Sequence, residues 1–205
     1  MVDINKIRQI YKFGKELSIE DAGILIKSAK SKSFKKKEII IEEGSLKTDV
    51  YFLRSGLVRA YCINDKGDEI TFGLISENQI LTNVDIILFD QPSRFYYECI
   101  EDTKTFSIDF DKVQNIIESN PKLERNRKFF ARNAMKKMLQ RLETFVLMNA
   151  EERYEDFIKN NPTLSNRVPD KYLANVLGIT PVSLSRIRAR TVSYTHLRAH
   201  ETADN

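Results

Sequence analysis

The sequence predicts an α+β chain: a β-rich first half that reads as a sandwich, roll or barrel, then one long helix, then two short helices joined by a tight turn. Three observations carry this expectation. Six short runs rich in β-branched and aromatic residues (38–41, 50–54, 57–63, 69–74, 95–100 and 103–108) are punctuated by turn signals at Glu43-Gly44, Ser55-Gly56 and Lys66-Gly67. From Pro121 to Met148 there is no glycine and no further proline, which is simplest as a single helix. Between Val168 and Arg188, two stretches of helical periodicity flank Gly178.

The last of these is the most specific. Leu173, Val176 and Leu177 fall at i, i+3 and i+4 on one face, Ala174 leaves room for a close helix crossing, and Gly178 supplies the left-handed conformation that ends the first helix. Thr180 is a natural N-cap and Pro181 sits where its missing N–H costs nothing, so a second helix starts there, burying Leu184 and Ile187. Its other side carries Ser183, Ser185, Arg186 and Arg188, hydroxyls and guanidiniums suited to phosphates and base edges. This is the pattern of a helix-turn-helix.

Going back to the start of the chain, residues 4–30 read as helical, with Ser18 and Asp21 in a capping-box-like relation before Ala22, Ile24 and Leu25. After the β-rich half, Asp109 caps a helix running to Ser119, and Asn120-Pro121 marks a break. Within the long helix Ala131, Met135, Met138, Leu142 and Phe145 step by 4, 3, 4 and 3, the spacing of a coiled-coil seam. At 1.5 Å per residue the helix reaches roughly 40 Å, more than one small roll can cover, so the surplus predicts a partner helix. Its polar remainder, Lys122, Arg125, Arg127, Lys128, Arg132, Lys136, Lys137 and Arg141, reads as a solvated face with no part in nucleic-acid binding. A further helix runs from Glu151 to Lys159, and Asn160-Asn161-Pro162 leads into the paired helices.

Composition sets the remaining bounds. The 205 residues are 41% hydrophobic, enough for a full core, and no apolar run approaches the roughly 18 to 20 residues of a membrane-spanning helix. The N-terminus lacks an apolar signal core, so a cytoplasmic, soluble protein without membrane contact is expected. Cys62 and Cys99 lie far apart in apparent strands and are expected to be buried thiols, neither metal ligands nor a disulfide. Residues 1–120 carry 17 Lys and Arg against 20 Asp and Glu, whereas residues 121–190 carry 15 against 7. The basic excess therefore lies in the third of the chain with the paired helices, where a phosphate-binding surface belongs. Catalysis finds no constellation: there is no histidine before residue 191, no nucleophile elbow and no metal cluster, so a non-enzyme without cofactor is expected. The last fifteen residues, 191–205, hold both histidines, His196 and His200, and no lysine. They resemble translated adapter sequence, and the expectation is that they are a non-native tail replacing the natural chain after Arg190, with neither histidine a metal ligand.

Taken in order, Glu43-Gly44, the run Tyr51-Phe52-Leu53-Arg54-Ser55-Gly56-Leu57-Val58-Arg59, Gly67-Asp68-Glu69, Leu173-Ala174-Asn175-Val176-Leu177-Gly178-Ile179-Thr180 and Leu184-Ser185-Arg186-Ile187 resemble the Crp/Fnr family of bacterial transcription regulators, from Phe34 to Arg190. The resemblance implies an eight-stranded N-terminal β-roll (a double-stranded β-helix or jelly roll), a long dimerisation helix and a C-terminal helix-turn-helix of the winged-helix type. It divides the chain into a cyclic-nucleotide-binding-like effector domain (1–120), a dimerisation helix (121–149) and a DNA-binding domain (150–190). It further implies a homodimer on palindromic double-stranded DNA, with RNA polymerase and a small-molecule effector as additional partners. The runner-up expectation is a small-ligand sensor that acts through a protein partner.

The family's cyclic-nucleotide members hold phosphate and ribose with a Gly-Glu pair that opens a short helix and an Arg about ten residues later. Here Thr82 and Asn83 stand at the pair, Pro92 roughly at the Arg, and Ser93 and Arg94 follow, so the effector pocket is expected to be degenerate and the cyclic-AMP site lost. Neither the N-terminal cysteine cluster of the oxygen-sensing branch nor the histidine of the haem branch is found. On the DNA side, Ser183 and Arg186 match family positions that meet phosphates or base edges. Pro181 and Val182 replace the family's usual Arg and Glu, which leaves Val182 to meet a thymine methyl. The expected DNA-binding set is Thr180, Val182, Ser183, Ser185, Arg186 and Arg188.

Overall fold

The computed structural model describes Gly23, residues 27–118 and residues 121–190. The chain divides into two compact units, Met1–Lys137 and Met138–Asn205. In the first, eight strands are found among the described residues: β1 (Lys30–Phe34), β2 (Ile39–Ile41), β3 (Val50–Ser55), β4 (Val58–Ile63), β5 (Glu69–Ile75), β6 (Ile80–Thr82), β7 (Tyr96–Cys99) and β8 (Thr103–Ile108). They form two four-stranded antiparallel sheets, β1-β8-β3-β6 and β2-β7-β4-β5, a jelly-roll-like arrangement. Of the architectures open at the sequence level, the roll is the one adopted.

Alternation along the strands explains the core. Tyr51 and Leu53 of β3, Val58 and Ala60 of β4 and Tyr97 and Cys99 of β7 point inward and pack with Ile40, Ile41 and Leu81. Burying a Leu, Ile or Val of this set is worth about 1.5–3 kcal/mol relative to leaving it exposed. Cys99 is fully buried, and burial pushes its thiol pKa up to about 11. Cys62 is only half-buried, contrary to expectation: it lies past the end of the β4–β7 ladder, which spans Val58 to Tyr61. The β3–β4 turn depends on Gly56, whose φ of +105° and position leave no room for a side chain: a Cβ there would lie 2.4 Å from Thr103 Oγ1.

The opposite phase of β4 holds a charge. Arg59 is 1% exposed and faces Glu98 of β7 directly across the ladder. Its Nη2 donates to Glu98 Oε2 at 2.6 Å and to Glu69 Oε2 at 2.7 Å, and its guanidinium lies 3.9 Å from the centre of the Tyr61 ring. Lys37 Nζ adds a second cation 3.6 Å from Glu98.

Two expectations for this unit need correction. The helix expected over 4–30 does not reach its end: Lys27 and Ser28 are helical, but Lys30 opens β1, pairing from Lys30↔Ser107 to Phe34↔Thr103 with β8. The sequence Lys-Ser-Lys-Ser-Phe has one apolar residue and so no strand signal of its own; ladder bonds to β8 decide it. Most of that predicted helix, with Ser18 and Asp21, lies outside the described residues. Likewise, the stretch 80–89 was not resolved into elements by pattern; it forms β6 and a one-and-a-half-turn helix, α1 (Val84–Phe89). Helix α2 (Phe110–Glu118) starts as expected, with Asp109 Oδ1 accepting from the backbone N–H groups of Asp111 and Lys112.

Helix α3 (Pro121–Leu147) is the single long helix expected, 27 residues, and the boundary between the units falls within it. The second unit continues with α4 (Ala150–Asn160), α5 (Asp170–Leu177) and α6, residues 181–190. Helix α4 opens with a capping box: Asn149 accepts from Glu151 and Glu152 N–H, and Glu152 accepts from Asn149 N–H at 2.7 Å. The core is made of Tyr154, Leu164, Val168, Leu173, Ala174, Val176, Leu177, Leu184 and Ile187, including every residue that periodicity placed inside the two final helices. Residues 191–205 lie outside the described residues, and with them any wing.

Candidate functional site

The α5–α6 turn is built by Gly178. It adopts φ +66°, its N–H and that of Ile179 bond back to the Asn175 and Ala174 carbonyls, and helix α5 ends there. A Cβ on Gly178 would lie 2.6 Å from the Phe145 ring, so a side chain there would have to displace that ring as well as accept a positive φ. The N-cap of α6 is Thr180, whose Oγ1 accepts from Ser183 N–H at 3.1 Å and lies 2.9 Å from Ser183 Oγ.

With Leu184 and Ile187 at 0% and 2% exposure, the rest of α6 sorts by angle. Pro181, Val182, Ser185 and Arg186 are exposed, and Thr180 is exposed before them. Ser183 is half-buried and its hydroxyl is engaged with the cap. Arg188 differs from its neighbours. Its Nη1 donates to Asp170 Oδ1 at 2.5 Å and its Nη2 to the Ser165 carbonyl at 3.3 Å. Five of the six expected DNA-binding residues are thus brought to one end and face of α6, with Ser183 partly committed to the cap, while Arg188 is turned onto its own domain.

Of the expected dimer seam, Met135, Met138 and Leu142 are 58–69% exposed. Phe145 is less so, and its ring meets Gly178 and lies 5.1 Å from Arg141 and 5.2 Å from Arg153 guanidiniums. Those arginines also cap carbonyls at helix ends, Arg141 at Val176 and Arg153 at Leu177 and Met148. The exposed apolar row instead continues through Leu139 and Val146, 52% and 71% exposed. The side chain of Ala131 lies outside the described residues.

The expected effector pocket, Thr82, Asn83, Ser93 and Arg94, is internally bonded throughout. Thr82 Oγ1 donates to the Asp49 carbonyl. Asn83, fully buried, caps α1 by accepting from Ile86 N–H at 3.4 Å and donates from Nδ2 to the Ser45 carbonyl at 2.9 Å. Buried Ser93 donates to the Phe95 carbonyl. Arg94 is held by Asp85, a carboxylate 3% exposed: Nε and Nη2 donate to Oδ1 at 3.0 and 2.7 Å, and the Arg94 N–H to Oδ2 at 2.9 Å. The hydrogen bonds from the Arg94 side chain hold the Asp85 carboxyl below the usual carboxylate range despite its burial.

A cavity of about 640 Å³ lies here, lined by Glu43, Gly44, Asp85, Phe89, Gln91, Pro92, Ser93 and Arg94. Its lining carries two carboxylates against one guanidinium, and that guanidinium is already occupied. The lining's one guanidinium, Arg94, is thus bonded to the buried Asp85.

Asp85 was missed at the sequence level, as was the Arg59 cluster. Asp85 and Arg94 have no local signal, nine residues apart across a helix and a loop. Arg59, Glu69 and Glu98 are joined only by sheet pairing. The Asn149-x-x-Glu152 box did have a sequence signal, a capping residue three before an acid.

Residues 31–120 match the model of the cyclic nucleotide-binding domain. Among curated proteins, an anaerobic regulatory protein of Aggregatibacter actinomycetemcomitans is 25% identical over 175 residues, covering 78% of this chain and 66% of that protein. The chain thus spans just under two thirds of that relative's length. Among solved structures, FixK2 from Bradyrhizobium japonicum superposes with a TM-score of 0.71 at 18% identity over 82% of this chain and 86% of that one. The Thermus thermophilus catabolite activator protein gives 0.55 at 16% identity over 91% and 88%.

Proposed function

We propose that this chain, which is similar to regulators of the Crp/Fnr family, is a non-catalytic transcription regulator that binds a palindromic DNA operator as a homodimer. The observation that carries this reading is α6: an N-capped helix whose apolar side is fully buried and whose opposite side offers Val182, Ser185 and Arg186 to a ligand. Exposed Arg186 has the reach for guanine O6 and N7, Val182 for a thymine methyl, and Thr180 and Ser183, at the positive end of the helix, for a phosphate. Within residues 150–190, 7 basic residues stand against 5 acidic ones, a small excess that adds sequence-independent attraction.

In this reading residues 1–120 are the effector domain, 121–149 the dimerisation helix and 150–190 the DNA-binding domain. The seam follows the exposed row Met135, Met138, Leu139, Leu142 and Val146, with Phe145 turned to Gly178 instead. Dimerisation places two reading helices about one DNA turn apart, roughly 34 Å, so that two weak contacts act as one specific one. The roll does not use cyclic AMP, because its cavity presents Glu43 and Asp85 rather than a free cation. Among the described residues no helix is long and apolar enough to cross a membrane, and a cytoplasmic site of action fits this role.

Selection of bound sequences from a random DNA pool tests the reading. An enriched palindrome whose affinity falls steeply with salt is expected. No enrichment, with salt-insensitive or absent binding, would return the roll to the role of a ligand sensor acting through a protein.

A further inference from the structure

Apolar contacts fix how deep a helix sits but are poorly directional; Leu184 and Ile187 alone leave α6 free to roll by small angles about its axis. A side-chain tip 5–6 Å from a helix axis moves by about 1 Å for a 10° roll, enough to spoil a hydrogen bond to a base edge. Something directional must therefore set the roll if Arg186 is to read a base.

We infer that Arg188 is a positioning residue for DNA recognition, a latch that fixes the roll of α6 through Asp170 and Ser165 rather than touching DNA itself. The inference rests on the DNA-binding reading above and assigns one of its basic residues a different task. Arg188 lies two residues after Arg186, about 200° around the helix, so its guanidinium leaves from nearly the opposite side. It reaches two separate elements: the first residue of α5 through Asp170 and the α4–α5 loop through the Ser165 carbonyl. The planar fork makes these contacts directional in a way a lysine would not. Asp170 is itself favoured at the N-terminus of α5, where the helix dipole supports its charge, so the anchor is held before the latch closes.

The experiment uses the full chain and the DNA site selected above, with a second probe in which the base pair assigned to Arg186 is changed. Arg188→Lys, Arg188→Met and Asp170→Asn are compared with wild type for affinity to both probes at several salt concentrations and for thermal melting. The latch predicts that Arg188→Lys, though still cationic, loses discrimination between the probes by at least about 5-fold, the lower end of what a bidentate pair provides. Asp170→Asn is expected to lose it equally, although removing an acid near DNA would strengthen a purely ionic contact; the exposure of Asp170 makes loss of folding a poor explanation. The salt slope should be unchanged in all three. The combination Arg188→Asp with Asp170→Arg is expected to recover part of the discrimination.

A residue that merely stabilised the domain would lower the melting temperature and leave discrimination intact, which would overturn the proposal. So would a parallel loss on both probes in Arg188→Met with a salt slope smaller by about one, the mark of a lost phosphate contact. If wild type selects a site and Asp170→Asn keeps full discrimination, the latch alone falls. If wild type shows no selective, salt-dependent binding, the DNA reading falls and the latch with it.

Discussion

Arg186 and Arg59 show how differently one side chain type can be used. Arg186 is exposed on the free side of α6, and a bidentate contact to guanine discriminates by about 1 to 3 kcal/mol. Arg186→Ala should therefore weaken the specific site about 5- to 150-fold and change non-specific affinity much less, with folding intact. Titrations of specific and random DNA at two salt concentrations separate this from a phosphate contact, for which both affinities would drop together. Arg59 is the opposite case, fully buried between Glu98 and Glu69. Removing Arg59 would leave the buried Glu98 with only the exposed Lys37 beside it, and breaking a buried ion pair costs about 3–5 kcal/mol. Arg59→Ala should lower stability to that extent in a denaturant titration, whereas Arg59→Met combined with Glu98→Leu should cost distinctly less, since no charge is then stranded.

At the scale of elements, α3 carries the dimer prediction. Replacing Met138, 69% exposed in the single chain, by Glu would bury a charge against its symmetry mate and cost several kcal/mol of association. Sedimentation should show a monomer, and a surviving dimer would place the seam elsewhere. The same helix shows where sequence reading succeeds and where it stops. The 3.6-residue period and the end signals gave α3 through α6 to within a residue or two, because Pro121, Asn160-Asn161-Pro162 and Gly178 act locally. Periodicity also grouped Phe145 with the seam, since it sits at the right step, but a step cannot tell a partner helix from Gly178, 33 positions later. Strands β1 and β6 escaped for the same reason: Lys30–Phe34 and Ile80–Thr82 gain their structure from β8 and β3. Arg188 reads as a DNA contact because a basic side chain on a polar helix face is legible in a sequence, while Asp170 and Ser165 as its neighbours are not.

Across the whole molecule the charge changes sign along the chain. The acidic excess falls in residues 1–120 and the basic excess in 121–190, so the roll contributes little to the attraction for a polyanion. The roll's cavity repeats that bias locally with Glu43 and Asp85. Cyclic AMP should accordingly give no heat of binding in calorimetry at micromolar concentrations, and tight binding would show that the Asp85–Arg94 pair opens to admit a phosphate. Gly178 has a different kind of consequence, one for inheritance. Its backbone conformation disfavours a side chain, and a Cβ there would press the Phe145 ring aside, so a change at 178 is tolerated best where the new residue accepts a positive φ and residue 145 is smaller or turned away. The two positions, far apart in the gene, are therefore expected to vary together, as one inherited unit of the turn that holds the reading helix.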